Sequence, residues 1–479
     1  LSSAASDVYK RQQHNGKATI HYHDIGDYLS REDKLRIIKE FYSIQNPSIR
    51  WQILSPNEFG DWINKRSQIY DSFLPIGEKT GSSKHSFFNI YSAGVKTNRD
   101  YWCYNFSHLE LKNNIELTIA TYNEECLKYK SHQKEYTNIN IENIITLDPT
   151  KISWSGDLLN SLSKLKPLSF NKKNLVVSLY RPFSKNHLYF DRILNNSTYQ
   201  IPKLFPTPKH QNLVICTTGV GDNNFSVFIS DLIPDLHLIG TAQCFPLYWY
   251  DDSTADIADL FSTSQNDVDR YTRRDGITDW ILSTARKQYG SKVTKEDIFY
   301  YVYGILHSPA YRKVFAVDLK KMLPRLPLVD NRDDFRAFSA AGRALAELHL
   351  NYETIEPYKD AKVTLDPNAY INYRVEKMHF GKNGKEVDKS TIIYNNQITI
   401  SKIPLKAYDY VLNGKSAIDW IMERYAVTTD NKSGIRNDPN DWAAEHNDEK
   451  YILNLLLRII TVSLETCKIV ASLPKLKLE

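Results

Sequence analysis

Cysteine is scarce in this sequence of 479 residues, which contains five. The five lie far apart, with no Cys-x-x-Cys pair and no histidine at metal-ligand spacing, so the sequence predicts neither a disulfide framework nor a zinc site. We expect them to be buried thiols of a protein in the reducing cytoplasm. They are Cys103, Cys126, Cys216, Cys244 and Cys467.

Long apolar runs are also missing from the chain. No run approaches the roughly 20 residues that cross a bilayer, so we predict a soluble protein with no membrane partner. The first 13 residues, LSSAASDVYKRQQ, have no apolar centre and therefore do not predict a secretory signal. We expect this polar leader, residues 1–13, to be non-native or disordered.

The charge of the chain is not strongly one-sided. The formal net charge is +5, which permits binding to nucleic acid without requiring it, because a local patch matters more than the total. Tyrosine is abundant, with 31 residues against 18 glycines, and supplies flat rings that carry a hydroxyl group. Such rings suit an interface and, equally, a tyrosine-rich core.

The most distinctive stretch covers residues 174–250, where short apolar runs follow one another. Each run is rich in β-branched and aromatic residues and is bounded by Pro, Gly or Asn, which predicts a sheet of strands joined by polar loops. The loops carry Lys, Arg and Asn side chains, which suit a polyanion with base edges, although an ordinary sheet with solvated loops is the alternative. The runs are 176–180, 188–190, 213–215, 227–229 and 245–250.

Helical periodicity is found on both sides of this stretch. Ser30 with Asp33, and Thr294 with Asp297, have the spacing of a helix cap, in which a hydroxyl and a carboxylate satisfy free backbone N–H groups. Apolar residues at helical spacing follow each pair. Further helices are predicted at 109–129, 309–322, 335–350, 418–425 and about 450–473.

Four other segments have less regular patterns. Residues 53–76 predict mixed helix, with Trp62, Ile63 and Tyr70 facing inward. Residues 251–280 are polar and lack a sustained period, which predicts a loop, either mobile and basic or simply solvated. A hairpin is predicted within 364–403, where the period falls to two, and 428–442 are dense in turn formers and predict a loop.

Several of these segments resemble one known family. The text YRPFSKNHLYFDR at 180–192 is followed by Gly240 and by QCFPLY at 243–248; KEDIFYYVYGILHSPAYRKVF lies at 295–315 and SGIRNDPNDW at 433–442. In this order they resemble the C-terminal specificity region of Type ISP restriction-modification enzymes, which are single polypeptides. The similarity extends from about Tyr22 to Pro474.

The resemblance implies an α+β fold and a division of the chain. Residues 14–135 would be the C-terminal tail of an α/β methyltransferase domain with a connector, and 136–479 the target recognition domain, a mixed β-sheet packed with a helical bundle. The partners implied are double-stranded DNA and the methyltransferase, helicase and nuclease domains upstream in the same polypeptide. S-adenosylmethionine, ATP and Mg would belong only to those missing domains, and this fragment would hold no cofactor.

Catalytic motifs of such an enzyme are not found in the sequence. An adenine methyltransferase needs a Gly-rich turn and an Asn/Asp-Pro-Pro-Tyr/Phe loop, and the nearest strings, at 219–222, 356–358 and 438–440, each lack a required part. Neither a Walker lysine loop nor a convincing nuclease pattern is present. We therefore expect no catalysis by this fragment. His210, Asp235, His237 and Cys244 could supply an acid, base or nucleophile group, but no spacing rule links them.

DNA binding is the function that remains. In the family, this region grips one face of DNA, so lysine and arginine side chains would contact phosphates, and Asn, Gln, Arg or Lys side chains on loops would read base edges. The predicted DNA contacts are Arg181, Lys185, Lys209, Arg273, Arg274, Lys432 and Arg436. The predicted base readers are Asn223, Asn224 and Asn437.

Alternatives stay open at this point. Arg181 could instead pair with a carboxylate such as Asp191, and 433–442 could be mainly a scaffold turn. The whole chain could be a protein-interaction module that docks on a helicase or nuclease partner. It could also accompany an enzyme whose activity, site-specific adenine methylation with restriction, is carried by the upstream domains.

Overall fold

The structure is a computed structural model that describes residues 18–77, 85–135, 140–222, 224–252, 270–367 and 370–478. Helices are mixed with several small sheets over these ranges, so the predicted α+β class is confirmed. The chain divides between Ser67 and Gln68 into two units. None of the helices in the described ranges is both long and apolar enough to cross a membrane.

Many of the helices begin after a residue whose side chain caps the first turn, which is why their starts can be recognised in the sequence. In chain order the helices are α1 (Arg31–Phe41), α2 (Gln68–Ser72), α3 (Asp100–Cys103), α4 (His108–Glu135), α5 (Gly156–Ser163), α6 (Ile201–Leu204), α7 (Asp279–Tyr289), α8 (Lys295–His307), α9 (Pro309–Val314), α10 (Asp318–Lys321), α11 (Arg332–Leu350), α12 (Ala417–Arg424), α13 (Pro439–Glu445) and α14 (Tyr451–Ala471).

The strands are short and form sheets of two or four members. They are β1 (Ile20–Tyr22), β2 (Gln52–Leu54), β3 (Leu74–Pro75), β4 (Ser92–Ala93), β5 (Tyr104–Asn105), β6 (Leu175–Arg181), β7 (Ser184–Tyr189), β8 (Val214–Thr217), β9 (Val227–Ser230), β10 (Ile233–Pro234), β11 (Gln243–Pro246), β12 (Tyr248–Asp252), β13 (Tyr271–Asp275), β14 (Arg325–Leu326), β15 (Lys362–Leu365), β16 (His379–Asn383), β17 (Glu386–Ile393), β18 (Ile398–Ser401), β19 (Val411–Leu412), β20 (Lys415–Ser416), β21 (Thr428–Thr429) and β22 (Arg436–Asn437).

Over its described residues, 18–67, the unit before Gln68 contains one pair of strands and one helix. β1 pairs antiparallel with β2, and α1 begins after Ser30, whose hydroxyl oxygen accepts a hydrogen bond from the Asp33 N–H at 3.1 Å. The predicted helix and its cap are therefore confirmed. No residue of α1 is buried, and the Leu35 and Ile38 side chains are exposed.

The expectation that Trp62 and Ile63 face inward is wrong, because both side chains are exposed. Residues 53–76 contain only short elements, and a strand pair with one helix offers too few layers to bury these side chains. Tyr70, in the second unit, is fully buried, and its hydroxyl oxygen accepts a hydrogen bond from the Arg325 N–H at 3.0 Å.

Two four-stranded sheets replace the single sheet expected from residues 174–250. β6 and β7 pair antiparallel between β10 and β5, whereas β8 pairs with β9 and β11 in a second sheet that β4 completes. Every residue of β8 and β9 is buried, as in strands that are covered on both faces. The predicted strands are thus confirmed, and their grouping is corrected.

Part of the predicted polar loop at 251–280 is a strand. β13 pairs antiparallel with β12, with Arg273 opposite Tyr250 and Arg274 opposite Trp249. Charged residues are tolerated in β13 because four of its five residues are exposed. The strand is therefore stabilised by its backbone hydrogen bonds to β12 and not by burial of an apolar face. Residues 253–269 lie outside the described ranges.

α8 and α11 form the centre of the helical layer. The predicted cap of α8 is confirmed as a reciprocal pair: the Asp297 N–H donates to the Thr294 hydroxyl at 3.1 Å, and the Thr294 N–H donates to the Asp297 carboxylate at 3.0 Å. The ten residues that end α8 are all buried. Gly304 of α8 and Gly342 of α11 meet where the two backbones come closest.

The helix predicted at 309–322 is interrupted. α9 ends at Val314 and α10 starts at Asp318. Between them the Phe315 ring is fully buried, with its centre 5.0 Å from the ring centre of Tyr70 and 5.4 Å from that of Tyr311. The two short helices therefore flank a buried aromatic ring.

The C-terminal region contains the predicted hairpin and one helix that was not predicted. β16 and β17 pair across the turn at Gly384, which confirms the hairpin, but 371–375 form no strand. Residues 439–442, predicted as loop, belong to α13, because Asp438 caps this helix and Pro439 occupies its first position. Asp438 and Pro439, whose residue types favour a turn, therefore start a helix here.

Candidate nucleic-acid interface

One hairpin carries three of the predicted DNA contacts. We name residues 428–437 the arginine hairpin; Thr428 pairs with Asn437 and Thr429 with Arg436. Its turn is fixed by Asp430, whose carboxylate accepts hydrogen bonds from the N–H and the hydroxyl of Ser433 at 2.8 and 2.7 Å. The Ser433 hydroxyl holds the pKa of Asp430 below its usual value. The turn presents Lys432 and Arg436 to solvent.

A buried carboxylate anchors the end of the arginine hairpin. Asp438 Oδ2 lies 3.0 Å from the Arg436 guanidinium and 2.5 Å from the guanidinium of Arg374. Burial alone would raise the pKa of Asp438, but hydrogen bonds from Arg374 and Asn440 outweigh it and hold this pKa below its usual value. Arg374 was not among the predicted site residues, since nothing in the spacing of the sequence links positions so far apart.

Replacing Arg374 with methionine is expected to destabilise the protein by about 1 kcal/mol at pH 7, because a partly exposed guanidinium is screened by water. The folded-state pKa of Asp438 lies below its ordinary value of 3.8, so the stabilisation is present above pH 3.8 and is lost as the pH falls through the folded-state pKa. Urea unfolding at pH values from 7 to 2 measures the free energies of unfolding of wild type and of Arg374→Met. The difference between these two free energies should become smaller below pH 3.8.

The matched control is Arg192→Met, which removes an exposed arginine from a different loop. It should leave the stability nearly unchanged at every pH. A difference between wild type and Arg374→Met that stays constant down to pH 2 would show that the loss is one of packing and not of charge.

The second strand of the arginine hairpin is tied to the residues that follow α3. The Asn105 side chain donates a hydrogen bond to the Arg436 carbonyl at 3.1 Å, and the Asn437 side-chain oxygen accepts one from the Phe106 N–H at 2.9 Å. The Asn437 side-chain oxygen therefore supports the hairpin in this structure. Base reading by Asn437 stays a prediction.

Arg181 lies inside the fold, at the end of β6. Its guanidinium is 2.6 Å from the Asp235 carboxylate and 3.7 Å from that of Asp100, and it stacks on the Tyr180 ring at 3.9 Å. Pairing with a carboxylate is thus confirmed, but Asp191 is not the partner. The Asp191 carboxylate instead accepts hydrogen bonds from backbone N–H groups at 2.8 and 3.0 Å.

Lys185 is held in a similar way at the start of β7. Its ammonium group lies 2.5 Å from the Glu353 carboxylate, which also accepts a hydrogen bond from the Tyr451 hydroxyl at 2.6 Å. Both Arg181 and Lys185 would have to leave these carboxylates in order to meet a phosphate. DNA contact by these two residues stays a prediction.

The arginines of β13 are on the surface. The Arg273 guanidinium lies over the Tyr248 ring, 4.4 Å from its centre. Arg274 and Asp251 form a loose ion pair at 3.6 Å between two side chains that are half exposed. Because solvent screens these contacts strongly, the two guanidinium groups can exchange them for other anions at little cost.

The remaining predicted contacts lie on separate loops. Lys209 is exposed in a turn, where its backbone N–H donates a hydrogen bond to the Thr207 hydroxyl at 3.3 Å. Asn224 is also exposed, beside Gly414, where an added Cβ would come within 3.0 Å of the Asn224 amide nitrogen. Asn223 lies outside the described residues. The predicted contacts therefore come from the arginine hairpin, β13, β6, β7 and two loops.

The residues that the sequence offers for acid, base or nucleophilic chemistry have other contacts. Asp235 pairs with Arg181, the His210 ring lies 2.7 Å from the Thr207 hydroxyl, and the Cys244 thiol lies 3.6 Å from that of Cys216. Within the described part of the chain, no cluster of three His, Cys, Asp or Glu side chains is placed to hold a metal ion.

Comparison with solved structures finds close relatives, although no curated protein matches the chain. A nuclease-deletion mutant of the Type ISP restriction-modification enzyme LlaGI, in complex with a DNA substrate mimic, is 38% identical over 96% of this chain and 39% of its own, with a TM-score of 0.81. The ATP-dependent Type ISP enzyme LlaBIII bound to DNA is 35% identical over 98% of this chain and 28% of its own, with a TM-score of 0.83. DrdV in a DNA complex is 28% identical over 95% of this chain and 43% of its own, with a TM-score of 0.78.

The chain therefore spans less than half the length of these relatives. The family described as the Type ISP C-terminal specificity domain matches residues 86–455, most of the chain. This match and the solved Type ISP relatives confirm the resemblance found in the sequence. The chain belongs to the Type ISP C-terminal specificity domain family.

Proposed function

We propose that this chain recognises a specific sequence in double-stranded DNA as the specificity portion of a restriction-modification polypeptide, without catalysing a reaction itself. The observation that carries the proposal is the similarity to LlaGI and LlaBIII, which are 38% and 35% identical over nearly the whole chain and were solved with DNA or a DNA mimic. Such similarity over the full fold favours a shared role for the surface that meets DNA.

The exposed cations are the first candidates for phosphate contact. Four of these side chains face solvent or make screened contacts, so binding a phosphate requires little loss of existing interactions, whereas Arg436 would have to leave the buried Asp438 carboxylate. The group consists of Lys209, Arg273, Arg274, Lys432 and Arg436. Arg181 and Lys185 would also contact DNA, but only after leaving the carboxylates with which they pair. The base edges would be read by Asn223, Asn224 and Asn437.

The same proposal includes the division of the chain that the resemblance implies. Residues 14–135 would be a methyltransferase tail with its connector and 136–479 the target recognition domain. Exposed apolar side chains in the unit before Gln68, such as Leu35, Ile38 and Trp62, support a neighbouring domain for that unit. Upstream methyltransferase, helicase and nuclease domains would bind S-adenosylmethionine, ATP and Mg and carry out the chemistry.

A gel-shift assay over a series of salt concentrations tests the proposal. Selection of bound duplexes from a randomised pool supplies the target, and we expect binding that weakens steeply with salt because phosphate contacts release counterions. Lys432→Ala should weaken binding about threefold and reduce the slope of log K against log salt by about 1, because one phosphate contact is lost.

The control is Lys112→Ala, which removes a half-exposed lysine from α4, away from all the predicted contacts in the sequence. Its affinity and salt slope should match wild type. Absence of any shift at low salt would contradict the proposal and favour the alternative, a module that docks on a helicase or nuclease partner.

A further inference from the structure

A groove of about 620 Å³ runs along one side of α11, where the end of α7 and the start of α8 face it. The residues of α11 that line this α11 groove extend from Arg332 to Glu347, so it is about 22 Å long at the usual helical rise. The buried rings of Tyr289 and Phe335, stacked with 4.3 Å between their centres, close its floor. A groove of this length suits a docked helix of about four turns.

Three cations gather at one end of the α11 groove. Lys292, Arg332 and Arg336 line it with exposed side chains, and none of them lies within ion-pair distance of a carboxylate among the described residues. A Cβ at Gly290 would lie 3.9 Å from the guanidinium carbon of Arg332, so the two walls come close together here. Arg332 and Arg336 are one helical turn apart and repel each other. An anionic partner would relieve this repulsion.

The other end of the α11 groove carries the opposite charge. Glu347 lines it with an exposed side chain. Arg343, between the two ends, lies 3.1 Å from the Glu296 carboxylate and 3.7 Å from that of Asp297, so its charge is already matched. A DNA backbone is negative along its whole length and would be repelled at Glu347. The charges therefore favour a polypeptide whose acidic residues meet only the cationic end.

Space for apolar side chains lies between the two ends. Ala340 and Ala344 line the groove one turn apart and are exposed, and the stems of the arginines beside them are aliphatic. An amphipathic helix docks through apolar side chains at this spacing. A second copy of this chain is a poorer match, because α1, none of whose residues is buried, carries four basic and three acidic residues.

We propose that the α11 groove binds an amphipathic helix of a partner protein. Acidic residues of that helix lie beside Lys292, Arg332 and Arg336, and its apolar face covers Ala340 and Ala344. The inference goes beyond the proposed DNA-binding function, since none of the described residues predicted to contact DNA lines this groove. It gives the chain a second surface, which holds a protein while the first holds DNA.

Fluorescence anisotropy of the full chain with a labelled synthetic helix tests the α11 groove. The probe has about 15 residues, with leucines along one face and glutamates on both flanks. We expect binding in the micromolar range that weakens with salt, and about tenfold weaker binding of the same probe with lysines in place of the glutamates. The double variant Arg332→Glu with Arg336→Glu should also bind the acidic probe about tenfold more weakly, because two screened attractions become repulsions. Arg192→Glu, which changes an exposed arginine of another loop, is the control and should bind as wild type does.

Two further variants guard against a folding defect. Glu347→Gln removes a carboxylate that repels the glutamates of the probe, so it should strengthen binding about threefold, which a misfolded protein would not do. Ala340→Trp fills the groove without changing its charge and should weaken binding at least about tenfold. Its matched control is Ala337→Trp, which adds the same ring to an exposed position of α11 outside the groove and should leave binding unchanged.

The inference is overturned if wild type does not bind the acidic probe, if the basic probe binds equally well, or if Ala340→Trp binds normally. Duplex DNA that displaces the probe would assign the groove to DNA, and a wild-type dimer that Ala340→Trp converts into a monomer would assign it to a second copy; either result also overturns the inference. A gel shift with the selected duplex is measured in parallel. A wild-type shift without probe binding overturns only the groove, whereas probe binding without a shift overturns only the proposed DNA function.

Discussion

Replacing Asp235 with alanine is expected to lower the free energy of unfolding by about 3–5 kcal/mol, the range found when one partner of a buried ion pair is removed. Asp235 is buried, and its carboxylate lies 2.6 Å from the Arg181 guanidinium. It also accepts a hydrogen bond from the His237 N–H at 2.7 Å. The variant leaves Arg181 inside the fold with only Asp100, at 3.7 Å, as a carboxylate partner.

Urea unfolding at 25 °C, followed by circular dichroism, measures this loss. The matched control is Asp251→Ala, which breaks the half-exposed pair with Arg274 and should cost about 0–1 kcal/mol. The double variant Arg181→Met with Asp235→Leu should recover most of the loss, because it leaves no unpaired charge inside. Equal losses for Asp235→Ala and Asp251→Ala would contradict the role assigned to the pair.

The same double variant tests whether Arg181 also contacts DNA. If Arg181 leaves Asp235 to meet a phosphate, the double variant should bind DNA with a salt slope reduced by about 1. If Arg181 only supports β6, the slope should stay at the wild-type value. The comparison therefore separates a structural arginine from a DNA contact, which its position in the sequence could not do.

Features of the fold that depend on neighbours in sequence could be predicted. The cap of α8 joins Thr294 to Asp297, and the cap of α1 joins Ser30 to Asp33, so each interaction lies within one turn of helix. The apolar runs that became β8 and β9 are equally local signals. Their assignment to two sheets is not local, because β8 pairs with β11 across a long separation in the sequence.

Features that depend on residues far apart in the sequence are either absent from the sequence-based prediction or predicted in the wrong place. β13 has a polar sequence and is a strand only because β12 offers a ladder to it. The carboxylates that hold Arg181 and Lys185 come from other elements, and so does Arg374 beside the arginine hairpin. The sequence therefore indicates which residues are cationic, whereas their burial and partners follow from tertiary packing.

Replacing Gly342 with alanine is expected to destabilise the fold by about 2–3 kcal/mol, because an added methyl group overpacks a tight contact. A Cβ at Gly342 would lie 1.9 Å from the Tyr300 carbonyl oxygen and 2.9 Å from the Gly304 nitrogen. Both atoms belong to the backbone of α8, which cannot rotate away as a side chain can. Alanine has the better helix propensity by about 1 kcal/mol, so any destabilisation has to come from this contact.

Gly156→Ala is the control for this substitution, since Gly156 starts α5 and no atom lies within 4 Å of the added Cβ. Its stability should equal or exceed that of wild type. In Gly342→Ala, α8 and α11 have to separate, and the buried Phe335, Phe338 and Leu345 of α11 lose part of their packing. A lower urea midpoint for Gly342→Ala alone would show that the helical layer depends on backbone contact. Equal midpoints for both variants would mean that the two helices can move apart at no cost.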